Sequence, residues 1–183
     1  MKRHPFRCLL SAAVSASACA SVVNEPAKAE LVRPGRCRMD YCYESLFLGK
    51  KLILSNDYGV LYEVKERQRG WRTKNYDAPR PSISSVPYGP VKTSFVLCST
   101  KRPSVIFKPD DSSAFIVHRL NPDGNSYRGY NLDSYQDYWL VCHNLAGPGY
   151  FSPEMVSRSI QLGYPGNLVE DSIEVSHPLD PMR

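Results

Sequence analysis

The sequence predicts a mainly β, antiparallel fold, as a small sandwich or an open barrel, with an α+β arrangement as the alternative. Five or six short stretches are rich in strand-forming residues, turn residues separate them closely, and a single helix signal occurs near 153–162. No internal repeat is visible. We therefore expect one disulfide-stapled domain at 30–163, between a cleaved leader at 1–29 and an irregular C-terminal tail at 164–183.

The first two predicted strands flank a loop rich in proline. Apolar and polar residues alternate in 58–67 and again in 91–98, with the two-residue period of a half-buried strand. The intervening segment 78–90 contains four prolines. Proline at this density disfavours both a helix and the hydrogen bonds of a sheet. We expect a long loop there.

Further strands are predicted in the second half of the chain. The runs 104–107 and 114–120 are apolar and are separated by Lys-Pro-Asp-Asp. The segment 121–125 reads Asn-Pro-Asp-Gly-Asn, in which proline presets φ and glycine accepts a positive φ, so it predicts a turn. After it, 127–130 is expected to return the chain, and the aromatic and aliphatic run 138–143 to form a central strand.

The helix signal lies late in the chain. Ser152 can cap the N-terminus, Pro153 suits the first helical position, and Glu154 complements the positive end of the helix dipole. Gly163 is a typical residue to end the helix. We expect one helix over 153–162.

The N-terminus has the composition of a signal peptide. A basic region at 1–7 precedes a small and apolar run at 8–23, and Ala-Lys-Ala ends at Ala29, which predicts cleavage after that residue. The leader carries four basic residues and one acidic residue, so the formal net charge of +5 falls to about +2 in the mature chain. A charge this small does not indicate a nucleic-acid partner or an anionic membrane surface.

Cys19 offers a second processing route, because small residues precede it as they do in bacterial lipoproteins. Ala16 stands where such signals usually carry a larger aliphatic residue, so a lipid anchor at Cys19 is the alternative. No apolar run long enough to span a bilayer follows the leader, and no asparagine has the glycosylation pattern. We expect a periplasmic or secreted bacterial protein with no integral membrane segment.

Four cysteines remain after the leader: Cys37, Cys42, Cys98 and Cys142. An even number in an oxidising compartment predicts two disulfides. We expect the N-terminal pair to reach Cys98 and Cys142, because links between distant segments restrain the unfolded chain most. The alternative is Cys37–Cys42 with Cys98–Cys142. The cysteine spacing does not resemble that of a zinc site.

No catalytic motif of specific spacing occurs in the sequence. Cys142 and His143 are adjacent, but neighbours on a strand point to opposite faces, so a disulfide explains this cysteine better than a nucleophile does. His118 or His143 with Asp133 or Asp137 is the acid-base group of the alternative function, a small periplasmic hydrolase.

A calcium loop is also considered for 121–133, which is rich in acidic and amide side chains. Pro122 occupies the second position and Ser126 the sixth, where such a loop needs glycine. A hairpin turn explains this composition better. We expect neither a metal nor another cofactor.

The densest unusual feature is aromatic. Five rings lie within thirteen residues: Tyr127, Tyr130, Tyr135, Tyr138 and Trp139. Rings beside planar polar side chains are suited to stacking on sugars or gripping a peptide, and Trp71 between two arginines is a second candidate. We therefore expect a non-enzymatic binding or accessory protein whose partner is a protein or a cell-wall glycan. A purely structural domain is the third possibility.

Overall fold

The computed structural model describes residues 31–33, 35–123, 131–145 and 152–183. Within these ranges the chain forms one open sheet of eight strands with two α-helices, and a short 3-10 helix at Asp180–Met182. The strands are β1 Leu31–Arg33, β2 Cys37–Arg38, β3 Tyr41–Asn56, β4 Gly59–Arg72, β5 Val91–Cys98, β6 Ser104–Phe107, β7 Phe115–Arg119 and β8 Asp171–Val175, and the helices are α1 Leu132–His143 and α2 Pro153–Gln161.

The sheet is built mainly as a meander. Strands β3 to β7 lie side by side in chain order, β1 and β2 pair with the outer side of β3, and β8 is the edge strand beside β7. Every pairing is antiparallel. The predicted antiparallel β fold is confirmed, and so is the helix near 153–162, which Ser152 caps through a hydrogen bond from the Met155 backbone N–H.

Side chains that alternate along the central strands form a core on each face of the sheet. One core lies under α1 and contains Val64, Val96, Val105, Leu120, Tyr135, Tyr138, Trp139, Val141 and Tyr164. The opposite core contains Leu61, Leu97, Ile106, Val117 and Met182. Burying each large aliphatic or aromatic side chain stabilises the fold by roughly 1.5–3 kcal/mol. The C-terminal end of the chain therefore covers the face that α1 leaves open.

The long strand β3 is absent from the sequence prediction. It pairs with β4 along most of its length, but the register shifts between Phe47 and Gly49 and again between Leu52 and Leu54. Each bulge adds one residue and reverses the sides to which the following residues point. The two-residue period is lost at these places, and with it the signal on which the prediction of strands depends.

The prediction of a central strand at 138–143 is wrong, because this run is the second half of α1. Tyr135, Tyr138, Trp139 and Cys142 recur at intervals of three and four residues, which places them on one face of a helix. Asn144 ends the helix in the left-handed conformation, with a φ of 55°. The high strand propensity of aromatic and β-branched residues concealed this periodicity.

The prediction of an irregular tail at 164–183 is wrong in part, because a strand and a short 3-10 helix lie within it. Asp171–Val175 forms β8 and pairs with β7 along all five residues. Ile173 and Val175 pack against the core that contains Met182. The strand is short and prolines lie on both sides of it, so the sequence gives little local signal of it.

The expected disulfide pairing is wrong, and the alternative is found: Cys37–Cys42 and Cys98–Cys142. Cys37 and Cys42 are direct partners in the β2–β3 pairing, with Cα atoms 3.9 Å apart, so neither can reach a distant segment. The second disulfide joins the end of β5 to α1.

Two disulfides indicate folding in an oxidising environment outside the cytoplasm. The predicted leader at 1–29 and Cys19 lie outside the described residues. None of the helices in the described ranges is long and apolar enough to cross a membrane.

We expect the two disulfides to contribute unequally to stability. They close segments with sequence separations of 44 and 5 residues. The entropy of loop closure predicts a loss of about 4 kcal/mol for Cys98→Ser with Cys142→Ser, and about 2 kcal/mol for Cys37→Ser with Cys42→Ser. Urea denaturation of the two double variants measures these losses, and each variant is the control for the other. A larger loss for the Cys37–Cys42 variant would contradict the prediction.

Candidate functional site

The aromatic residues proposed for binding do not form an exposed surface in the described part of the chain. Tyr135, Tyr138 and Trp139 are at most 1% exposed and belong to the core under α1. The hydroxyl of Tyr135 accepts a hydrogen bond from the Asn121 backbone N–H at 2.9 Å. These rings hold α1 on the sheet and are inaccessible to a ligand. Tyr127 and Tyr130 lie outside the described residues.

Trp71 is half-buried near the end of β4, with the Arg69 guanidinium 5.6 Å from its ring centroid. Arg69 is itself buried and forms an ion pair with Glu44 at 2.6 Å. It also donates hydrogen bonds to the carbonyls of Pro81 and Val86, in the proline-rich loop. The surroundings of Trp71 therefore fasten this loop to the sheet.

A cleft of about 820 Å³ lies between α1 and the sheet, next to β4, β5 and β6. Its wall combines charged, hydroxyl and apolar side chains from five strands and one helix. Those with ionisable or nucleophilic groups near α1 are Arg33, Glu66, His118, Asp133, Ser134 and Asp137. Three of the six come from α1, so the packing of this helix shapes the cleft.

Arg33 is the centre of the charged wall and is only 5% exposed. Its guanidinium lies 3.2 Å from a Glu66 oxygen, 3.5 Å from an Asp133 oxygen and 3.2 Å from an Asp137 oxygen. It also donates a hydrogen bond to Ser45 Oγ at 2.7 Å. Arg36 pairs with Asp133 at 3.2 Å as well. The cluster thus holds two cations and three carboxyl groups, and it carries excess negative charge when all three are ionised.

The excess charge and the burial change the titration of Asp137. Burial is the largest cause that raises its pKa, the carboxylates of Glu66 and Asp133 raise it further, and Arg33 opposes them. The result is a pKa of about 7. At neutral pH the Asp137 carboxyl is therefore partly protonated and can donate a hydrogen bond as well as accept one.

His118 lies in the same cleft, on β7. Its Nδ1 is 2.8 Å from Ser134 Oγ, and its ring packs edge-on against Phe107, with ring centroids 4.8 Å apart. Burial lowers the pKa of His118, so the imidazole is neutral at pH 7. The structure brings His118 together with Asp133 and Asp137, as the alternative hypothesis required.

His143 is not part of this group. Its Nε2 is 2.7 Å from the Tyr164 hydroxyl, which in turn is 2.7 Å from the hydroxyl of Tyr138. Burial, followed by the nearby charges of Arg158 and Lys50, lowers the pKa of His143. The imidazole ends a chain of hydrogen bonds inside the core and does not line the cleft.

Sequence reasoning missed Arg33 and Glu66. Arg33 follows two apolar residues just after the predicted leader, where a basic residue attracts no attention. Glu66 is one of several charged residues in 63–67 and no pattern separates it from the others. Only the pairing of β1 and β4 with β3 brings the two side chains to the same place.

No family model, curated protein or solved structure matches this chain. In the described ranges, no three His, Cys, Asp or Glu side chains form a group that could hold a metal ion. Any assignment of function therefore depends on the geometry of the cleft and on the compartment that the disulfides indicate.

The raised pKa of Asp137 predicts a specific dependence of stability on pH. The unfolded chain releases this proton near pH 4, whereas the folded chain keeps it until about pH 7. The folded state therefore loses stability from this group as the pH rises between these values, by at most about 1.4 kcal/mol per pH unit. Asp137→Asn removes this loss, because asparagine does not ionise.

The measurement is urea unfolding of the wild type and Asp137→Asn between pH 4.5 and 7.5. The difference in unfolding free energy should shift in favour of the variant as the pH rises. Asp110→Asn is the matched control, because Asp110 is exposed at the cleft rim and pairs with Lys92 at 3.0 Å. A difference that does not change with pH would show that Asp137 titrates as an ordinary aspartate.

Proposed function

We propose that this chain is an exported, non-enzymatic binding protein of a bacterial envelope and that the cleft beside α1 holds its ligand. The ligand is a polar molecule rich in hydroxyl groups, such as a cell-wall glycan. The observation that supports this proposal is the charged wall around Arg33, in which ion pairs and hydrogen bonds hold the polar groups in place. Groups fixed in this way lose little conformational freedom when a ligand binds.

The chemistry of the wall suits a sugar. Carboxyl oxygens of Asp133 and Asp137 accept hydrogen bonds from hydroxyl groups, and a partly protonated Asp137 can also donate one. Val105 and Phe107 line the same cleft and provide an apolar surface for the carbon face of a ring. In this proposal the polar side chains of α1 contact the ligand, whereas its aromatic side chains are buried in the core.

The compartment supports the same proposal. The predicted leader at 1–29 and the two disulfides are consistent with export to the periplasm or beyond the cell. Processing at Cys19 instead would tether the same domain to a membrane. A cleft favours a narrow ligand such as a glycan strand over the broad surface of a protein partner, which is the alternative.

Filling the cleft should abolish binding without unfolding the protein. Thr93 is exposed on β5 and lines the cleft, so Thr93→Trp places an indole in the space for the ligand. We expect the wild type to co-sediment with purified peptidoglycan sacculi and the variant to lose at least about tenfold in affinity. Isothermal titration with soluble disaccharide-peptide fragments provides a second measurement.

Thr100→Trp is the matched control, because Thr100 is exposed just beyond β5 and does not line the cleft. It should bind like the wild type, and both variants should keep the wild-type Tm. Equal binding by Thr93→Trp and Thr100→Trp would place the ligand elsewhere. Absence of binding by the wild type would exclude cell-wall glycan as the ligand.

The contact between His118 and Ser134 favours a second candidate function, a small hydrolase. In that case His118 Nδ1 accepts the proton of Ser134 Oγ as the hydroxyl attacks an ester or amide carbonyl. Our first proposal predicts that the wild type and Ser134→Ala release p-nitrophenol from p-nitrophenyl acetate at the same background rate. Turnover by the wild type that Ser134→Ala reduces at least about a hundredfold would establish the hydrolase instead.

A further inference from the structure

Buried side-chain oxygens without a hydrogen-bond partner are concentrated near the start of β8. Among the described residues, seven buried side-chain oxygen or nitrogen atoms lack a partner. Five of these atoms belong to residues of three short segments: Asn121, Asp123, Asn131, Glu170 and Asp171. Buried polar groups are nearly always paired in folded proteins, so five unpaired oxygens in one region point to a bound water or ion that would satisfy them.

The three segments meet at one place in the fold. Strand pairing brings Arg119 opposite Asp171, so the residues that follow β7 run beside those that precede β8. Asn131, at the start of α1, donates a hydrogen bond from Nδ2 to Glu170 Oε1 at 2.8 Å. The side chain of Asn131 thus reaches the segment that leads into β8.

Asn121 and Asp123 belong to the segment that follows β7. The Asn121 backbone N–H donates to the hydroxyl of Tyr135, which lies one helical turn after Asn131. Asp123 contacts the segment before β8, because a Cβ added at Gly166 would lie 3.0 Å from Asp123 Oδ2. Asn121, Asp123, Asn131 and Glu170 therefore lie on the segments that meet at the junction of β7, α1 and β8.

The charge of Glu170 is not compensated by a cation in the described ranges. Glu170 is only 9% exposed, and its carboxylate forms no ion pair among the described residues. The amide of Asn131 is its single hydrogen-bond partner in those ranges. Asn131 itself is 0% exposed and Asn121 is 7% exposed, and each has an unpaired oxygen. A buried carboxylate needs a counter-charge. Arg119, opposite Asp171, pairs with that residue at 3.2 Å, and none of the cations in the described ranges pairs with Glu170.

We propose that Asn121, Asp123, Asn131 and Glu170 form a binding site for Ca²⁺. Carboxylate and amide oxygens are the ligands this hard cation prefers, and Ca²⁺ accepts the irregular geometry that ligands from three segments produce, whereas Mg²⁺ demands a near-ideal octahedron. The set contains only two acidic side chains and depends on amides, which is consistent with the absence of a group of three His, Cys, Asp or Glu side chains in the described ranges.

This site differs from a calcium loop formed by the single segment 121–133. That loop draws its ligands from alternate positions of one continuous segment, and 121–133 does not follow the pattern. Here Asn121 and Asp123 supply two oxygens, α1 supplies a third, and Glu170 supplies the fourth from a segment almost forty residues further along the chain. None of the four residues lines the cleft, so the cation site is independent of the proposed ligand site.

The test is calcium titration of the EDTA-treated mature protein, followed by calorimetry and by the shift in Tm. We expect one Ca²⁺ to bind with a Kd of about 10⁻⁴ to 10⁻³ M, the range of extracellular modules, and to raise the Tm. Glu170→Gln preserves the shape of the side chain and removes its charge, so it should weaken binding at least about tenfold. Glu174→Gln, on the exposed side of β8, is the matched control and should bind like the wild type.

Asp123→Asn is the second variant. It tests the Ca²⁺ site if circular dichroism shows that Glu170→Gln does not fold. Asp123 is half-buried outside the cores, and its substitution should also weaken Ca²⁺ binding at least about tenfold. The proposal is overturned if the wild type binds no Ca²⁺ at about 10 mM, or if Mg²⁺ binds equally well. It is also overturned if the folded variants bind as the wild type does.

Discussion

The packing of α1 on one face of the sheet is the constraint on which the other features depend. Tyr135, Tyr138 and Trp139 fill the space between the helix and the central strands, and Cys142 fastens the helix to β5 by a disulfide. Because these contacts fix the buried face of α1 on the sheet, they also fix the direction in which its opposite side points. The polar residues on that side then form a wall of the cleft. Asn131, which immediately precedes the helix, donates a hydrogen bond to Glu170 just before β8.

The ion cluster around Arg33 determines the charge and polarity of the cleft beside α1. A buried guanidinium with a single carboxylate would be an ordinary structural ion pair, whereas here burial, with the carboxylates of Glu66 and Asp133, raises the pKa of Asp137 to about 7. The cluster joins β1, β4 and α1, which are distant in sequence, and removing Arg33 would leave the carboxyl groups of Glu66 and Asp137 without this cation. Stability and the polarity of the cleft therefore depend on the same side chains.

Strands with an uninterrupted two-residue period could be predicted from the sequence, and those with bulges could not. The bounds of β5 follow from alternation and those of β6 from a short apolar run, while β3 loses its period at two register shifts. The helical nature of α1 was hidden because its aromatic residues favour strands and also recur at helical spacing. Local propensity alone does not distinguish these two states, and the tertiary contacts of the rings select the helix.

The residues of the candidate site could likewise be predicted only in part from the sequence. The sequence identified His118, Asp133 and Asp137 as residues that could act together, and the fold brings them to one cleft. It could not identify Arg33 or Glu66, because their proximity results from strand pairing between segments more than thirty residues apart. Long-range pairing of this kind leaves no local pattern.

The placement of β8 and Met182 has a consequence for how the protein is made. β8 and Met182 complete both an edge of the sheet and the core on the face opposite α1, so this part of the fold can form only after residues 171–182 have been synthesised. Pairing between strands as distant in sequence as β7 and β8 is slow, so folding is delayed until both strands are available. Such a delay keeps the unfolded chain accessible, and products that lack β8 are easy for proteases to recognise.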